Sequence, residues 1–245
     1  MKQLFLFIFI LIPLTISAQV GEHRNDFSIG LNGGYTLSSV HFTPQVPQGF
    51  HGGATAGLSF RYVCEKYFKT ICSIYGEVNF NSIGWKQDIL DIDDHAVINE
   101  ETGLAERYSR TIKYIQVPIM AHLAWGRENK GWNFFFHGGP QFGFYQSEST
   151  SANYDFDHRN IDARANKVVE QETTPVDRKF DYGIVGGIGV EYSLPRFGHL
   201  LVEGRYYYGL GNIYPDSSTD TFGSSNFQNI QFKVSYLFDI TKTKK

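Results

Sequence analysis

Beyond residues 1–18 the chain contains no run of 18 consecutive apolar residues. A spanning helix needs about 20, so the remainder cannot cross a membrane as helices. Cysteine is scarce: only Cys64 and Cys72 occur, and neither follows the apolar leader as a lipoprotein anchor would. No basic run and no interleaving of basic with aromatic residues is present, so nothing points to nucleic acid as a partner. GxSxG, HExxH and P-loop motifs are missing too. These absences leave a soluble secreted domain or a membrane protein built from strands.

The leader has one early positive charge, Lys2, an apolar run over residues 4–16, and a small-residue end at Ser17 and Ala18. That pattern reads as a signal peptide, residues 1–18, cut after Ala18. Residues 19–245 then form a single domain. Removing Lys2 leaves 21 basic against 25 acidic residues, a net charge of −4. Aromatics reach 16% and there are 25 glycines. Small membrane barrels use aromatics at the lipid interfaces, and glycine where side chains would crowd the interior.

Eight stretches alternate apolar with polar residues. In residues 229–239, Ile230, Phe232, Val234, Tyr236 and Phe238 share one parity. Asn229, Gln231, Lys233, Ser235 and Asp239 share the other, with Leu237 the one exception. A period of two makes a strand with one apolar and one polar face. The earlier stretches cover residues 27–38, 52–62, 72–83, 113–125, 132–147, 181–193 and 200–210. Pro118 removes a ladder hydrogen bond inside the fourth, so a bulge is expected there. Short turns at 63–71, 126–131 and 194–199 alternate with longer connections at 39–51, 84–112, 148–180 and 211–228. An even number of strands with all long loops at one end predicts an all-β, eight-stranded antiparallel up-and-down transmembrane β-barrel.

A soluble lipocalin-like barrel also alternates, with its apolar face inside. Volume separates the two. An eight-stranded interior is only just wide enough for side chains, and the large, often aromatic residues of the apolar face would overfill it. Gly30, Gly34, Gly57, Gly183 and Gly187 fit inside, which turns the apolar face to lipid. Trp125, Trp132, Tyr62 and Tyr192 then fall beside the short turns, and Tyr182, Phe144 and Tyr208 near the long loops, as two interfacial girdles.

On the inward parity lie Arg61, Glu77, Glu191, Glu203, Arg205 and Lys233. Buried charges require partners, so an interior salt-bridge network filling a closed barrel is expected rather than a polar channel. The turn geometry suggests Arg61 diagonal to Glu77, and Glu191 opposite Glu203 with Arg205 offsetting the like charges. His122 and His137 face inward within diagonal reach of one another, but no third metal ligand is placed for them. Asp91, Asp93 and Asp94 match no calcium-loop spacing and read as a solvated acidic loop. The adjacent Asp94 and His95 form no catalytic constellation. Neither a cofactor nor an enzymatic activity is indicated. Cys64 and Cys72 flank the first short turn on one face, and an oxidising compartment would join them in a disulfide.

Several segments resemble the Bacteroidota outer-membrane β-barrel family known as PorT-like or "porin family". They are YIQVPIM at 114–120, GGPQFGF at 138–144, FDYGIVGGIGVEY at 180–192, LVEGRYYYGLGNI at 201–213 and NIQFKVSYLF at 229–238. The fourth-strand motif of that family usually carries an acidic residue where this chain has Gln116. The resemblance implies a cell outer-membrane barrel, commonly without a known activity, and the family name comes from a secretion-machinery component. Three functions follow as candidates. One is a non-catalytic anchor whose long extracellular loops bind an unidentified ligand or support the envelope, and another is a subunit of an outer-membrane assembly with other envelope proteins as partners. The third, a diffusion pore, is disfavoured because eight strands leave no aqueous channel. Short turns in the periplasm would place both termini there and the long, polar loops outside.

Overall fold

The alternating stretches form strands that run well past the limits the pattern marks. A computed structural model describes residues 21–127, 130–195 and 197–243, so the expected signal peptide lies outside the described residues. The elements are β1 (Glu22–Thr43), β2 (Gln48–Gly49), β3 (His51–Tyr67), β4 (Thr70–Gln87), β5 (Tyr108–Gly126) and β6 (Gly131–Ala152). A one-turn helix, α1 (Glu170–Thr173), precedes β7 (Phe180–Leu194), β8 (Gly198–Gly209) and β9 (Ser224–Thr241). Every long strand pairs antiparallel with its neighbours in sequence. β1 closes the ring against β9, with Leu31 opposite Tyr236. The two-residue β2 is an accessory on the edge of β4. The result is an eight-stranded, up-and-down closed barrel.

Along the turn-side part of each strand the polar parity points inward and the apolar parity outward. Leu31, Leu58, Ile74, Val78, Phe136, Ile188, Val202 and Phe232 are all exposed on the outer wall. Trp132 packs at a tilt 4.9 Å from Tyr192, and Trp125 stacks 6.5 Å from Phe134, at the turn-side rim of this band. A tilted strand needs about 9–11 residues to cross a bilayer, yet β1 and β6 have 22 each. The surplus projects beyond the band at the loop end, and there the faces exchange chemistry. Val40, Phe42, Ile83, Trp85, Ile112 and Phe227 point inward and are buried. Ser39, His41, Ser82, Lys86, Thr111 and Lys113 take the outward parity. Period two persists, but the apolar residues switch parity. A wall apolar outside suits lipid, and a wall apolar inside suits water.

No register slip occurs at Pro118. The β4 ladder omits the pairs at Val117 and Pro118 but resumes in the same register on either side. The slip falls instead between Lys113 and Tyr114 in the β5–β6 ladder. Loss of one N–H removes a single rung, and the long flanking ladders hold the alignment. The turn expected over 63–71 contracts to Phe68 and Lys69, because Tyr67 already pairs with Thr70.

Candidate functional site

Two charged groups line the turn-side half of the bore. The first is a tetrad at mid-height. Arg205 reaches both oxygens of Glu77 across the bore at 2.7 and 2.8 Å and touches Glu203 at 2.5 Å. Lys233, directly opposite Glu203 in register, extends to Glu77 at 2.6 Å. Asn79 donates to Glu77 at 2.7 Å, and His137 lies 3.0 Å from Glu203. Two cations and two carboxylates therefore neutralise one another where water is excluded. Gly187 makes the room: a Cβ there would sit 2.7 Å from His137 Nε2 and 2.8 Å from Arg205 Cγ.

The second group lies nearer the turns. Arg61 donates to Glu191 at 2.9 Å, and His199 bridges Glu191 at 2.6 Å and Asp239 at 3.1 Å. Ser28 and Lys242, each at 2.7 Å, complete the Asp239 shell. His199 escapes the sequence reading because it sits at the start of its strand among turn residues. Asp239 already stands on the polar parity, and only its partners are new.

All six expected interior charges face the bore, but the partners differ from those expected. Arg61 pairs with Glu191 and not with Glu77, since a long side chain crosses an eight-stranded bore as easily as it reaches along the wall. Glu191 stands opposite Leu201, and Glu203 opposite Gly189, so the two carboxylates are not neighbours. His122 and His137 are directly opposed and not diagonal, with ring centroids 5.7 Å apart. Phe135 and Tyr75 pack against them. The expected disulfide is not formed. Both cysteines are free. A register shift at Val63/Glu65 bulges Cys64 out of the ladder and leaves Cys72 opposite Glu65.

At the loop end the connections build a packed cap, a correction to the reading of polar loops. Phe42 meets Trp85, Tyr214 and Phe222 at centroid separations of 5.4, 6.3 and 5.0 Å. Arg110 lies over Trp85 and donates to Tyr214 and to the carbonyls of Glu172 and Thr174. Arg164, in the long β6–β7 connection, is buried between Glu106 at 2.7 Å and Glu172 at 2.5 Å. Burial works against the charge on Arg164, but the two carboxylates prevail and hold its pKa above the ordinary value. Burial likewise opposes ionisation of Glu106. The N–H of Asn160 and the Arg164 guanidinium outweigh it and hold that carboxyl below its usual range. In the acidic turn, Asp91 accepts the backbone N–H groups of Asp93 and His95, both at 2.9 Å.

A closed ring with a lipid-compatible outer band and a charge-paired bore defines a transmembrane β-barrel. The chain belongs to the outer membrane protein beta-barrel domain family, which matches residues 17–214, and its location is accordingly the outer membrane. No match is found among curated proteins. Among solved structures the chain is similar to OprG of Pseudomonas aeruginosa, at 11% identity and a TM-score of 0.43, covering 89% of this chain and 98% of that one. It is also similar to the Neisserial surface protein A, at 11% identity, a TM-score of 0.40 and coverages of 86% and 96%. Ail of Yersinia pestis aligns at 12% identity, a TM-score of 0.35 and coverages of 89% and 99%.

Proposed function

We propose that this protein is a non-catalytic, non-conducting outer-membrane anchor that presents its structured cap outside the cell as a recognition surface. The observation that carries this reading is the parity switch along the strands. It raises a barrel extension above the apolar band and packs it with an aromatic core, far more structure than a simple anchor needs. The bore supports the same reading, because the tetrad, Tyr75, Tyr114, Tyr207 and Phe227 are buried across it. Short turns and both described chain ends share one rim, and barrels of this class keep short turns in the periplasm. We further assign the chain to the PorT-like subgroup on the five segments named above. Stable co-purification with other envelope proteins from mild detergent would shift the role to a subunit of an outer-membrane assembly.

Surface accessibility on intact cells tests the proposal. An epitope inserted between Ser217 and Ser218, exposed positions in the β8–β9 loop, should be reached without permeabilisation. A tag at the C-terminus should be reached only after it. The opposite result would turn the cap inward and end the recognition reading.

A further inference from the structure

The turn end of the bore encloses a cavity of about 280 Å³ that the charge network does not fill. At its floor lie Arg61, Ser73, His122 and Asn133, each more than nine-tenths buried. All four carry polar atoms that make no hydrogen bond in the protein: Arg61 Nε, Ser73 Oγ, both ring nitrogens of His122, whose Nε2 stands 4.0 Å from Glu191, and Asn133 Oδ1. Buried polar groups are seldom left unpaired, because each costs about 1–3 kcal/mol when unsatisfied. Their convergence on one cavity therefore describes a site that something polar completes.

We propose that this cavity binds a small organic anion through a carboxylate or phosphate group. The lining cations are matched in number by carboxylates: Arg24, Arg61, Lys66 and Lys242 against Asp26, Glu191, Asp239 and Glu22, which holds Arg24 at 2.7 Å. The preference for an anion therefore comes from His199 and from the unused donors. His199 adds to the positive side, since carboxylates face both of its ring nitrogens and only a ring protonated on both satisfies them. The floor supplies the Nε–H of Arg61, the hydroxyl of Ser73 and an imidazole N–H. Size argues for an organic body on the anion. The cavity holds roughly nine times the volume share of one water, about 30 Å³, so a bare oxyanion would leave most of it empty. Val63, Ile71 and Ala124 form an apolar wall against which carbon atoms pack.

Calorimetric titration of the full-length protein in micelles tests this, with phenyl phosphate, benzoate and inorganic phosphate as probes. Saturable one-site binding of phenyl phosphate or benzoate is expected, and which of them binds names the headgroup. Ser73→Ala should weaken that binding by about three- to tenfold through one lost hydrogen bond. Asn133→Asp should weaken it further by placing a carboxylate on the floor. Both variants are first checked for the heat-dependent mobility shift of a folded barrel. Ser73→Ala, the milder change, decides the matter if Asn133→Asp does not fold. Absence of saturation by any probe up to about 10 mM, or equal binding by Ser73→Ala and the parent, would overturn the proposal and leave a water-filled cavity. Inorganic phosphate binding as tightly as phenyl phosphate would overturn the organic body.

Discussion

Replacing Arg205 by Ala should be among the most damaging single changes in the bore, and the structure says which second change repairs it. Arg205 makes three short contacts, two to Glu77 and one to Glu203. Without it the tetrad holds two carboxylates against Lys233 alone. Glu77 is not stranded, because Lys233 at 2.6 Å and Asn79 at 2.7 Å still reach it. Glu203 keeps only His137, at 3.0 Å. Breaking a buried pair by removing one partner costs about 3–5 kcal/mol. With a urea slope of about 3 kcal/mol/M, the upper end for small proteins, the unfolding midpoint in micelles should fall by about 1–2 M. Adding Glu203→Gln should recover part of the loss, because it removes the stranded charge. Adding Glu77→Gln should not, because it leaves Lys233 facing Glu203 without its closest partner. Parent-like unfolding of Arg205→Ala, or equal rescue by the two second changes, would refute this account of the tetrad.

The cap, the first turn and the bore each allow a further test. Arg164→Ala leaves Glu106 and Glu172 buried without their shared cation, so trypsin should cut the cap at Arg107 and Lys167 faster while the barrel keeps its heat-dependent mobility. The Glu106 pKa lies below its unfolded value, so its contribution to cap order is present above the usual carboxylate range, near pH 4.3, and is lost as pH falls through the lower folded value. Hydrogen exchange in the cap should therefore accelerate in acid before the barrel ladders exchange. Maleimide added to the unfolded, unreduced protein should modify both Cys64 and Cys72, and a doubly unreactive protein would restore the disulfide. Gly187→Val should destabilise by about 1–3 kcal/mol by crowding His137 and Arg205, and unfolding unchanged from the parent would show that the bore yields there.

Much of the architecture was legible in the sequence because a strand's side chains strictly alternate between faces. Parity alone identified the eight strands, the apolar wall and all six interior charges, and the volume of an eight-stranded bore turned the correct face to lipid. The parity switch was written there too, in Tyr35 and Leu37 followed by Val40 and Phe42. It passes for the end of a strand unless the strand is known to continue. What parity cannot carry is distance across a closed ring. Arg61 finds Glu191, and Arg205 finds Glu77, at sequence separations of 130 and 128. Only closure of β1 on β9 brings these walls face to face. The cap has the same origin: Arg164 is one basic residue in a polar loop until folding sets Glu106 and Glu172 around it. Its burial is a property of three segments meeting and of none alone. Local chemistry determined which residues face inward, and tertiary structure decided which of them meet, because a side chain's partner depends on the whole ring and its face only on its own strand.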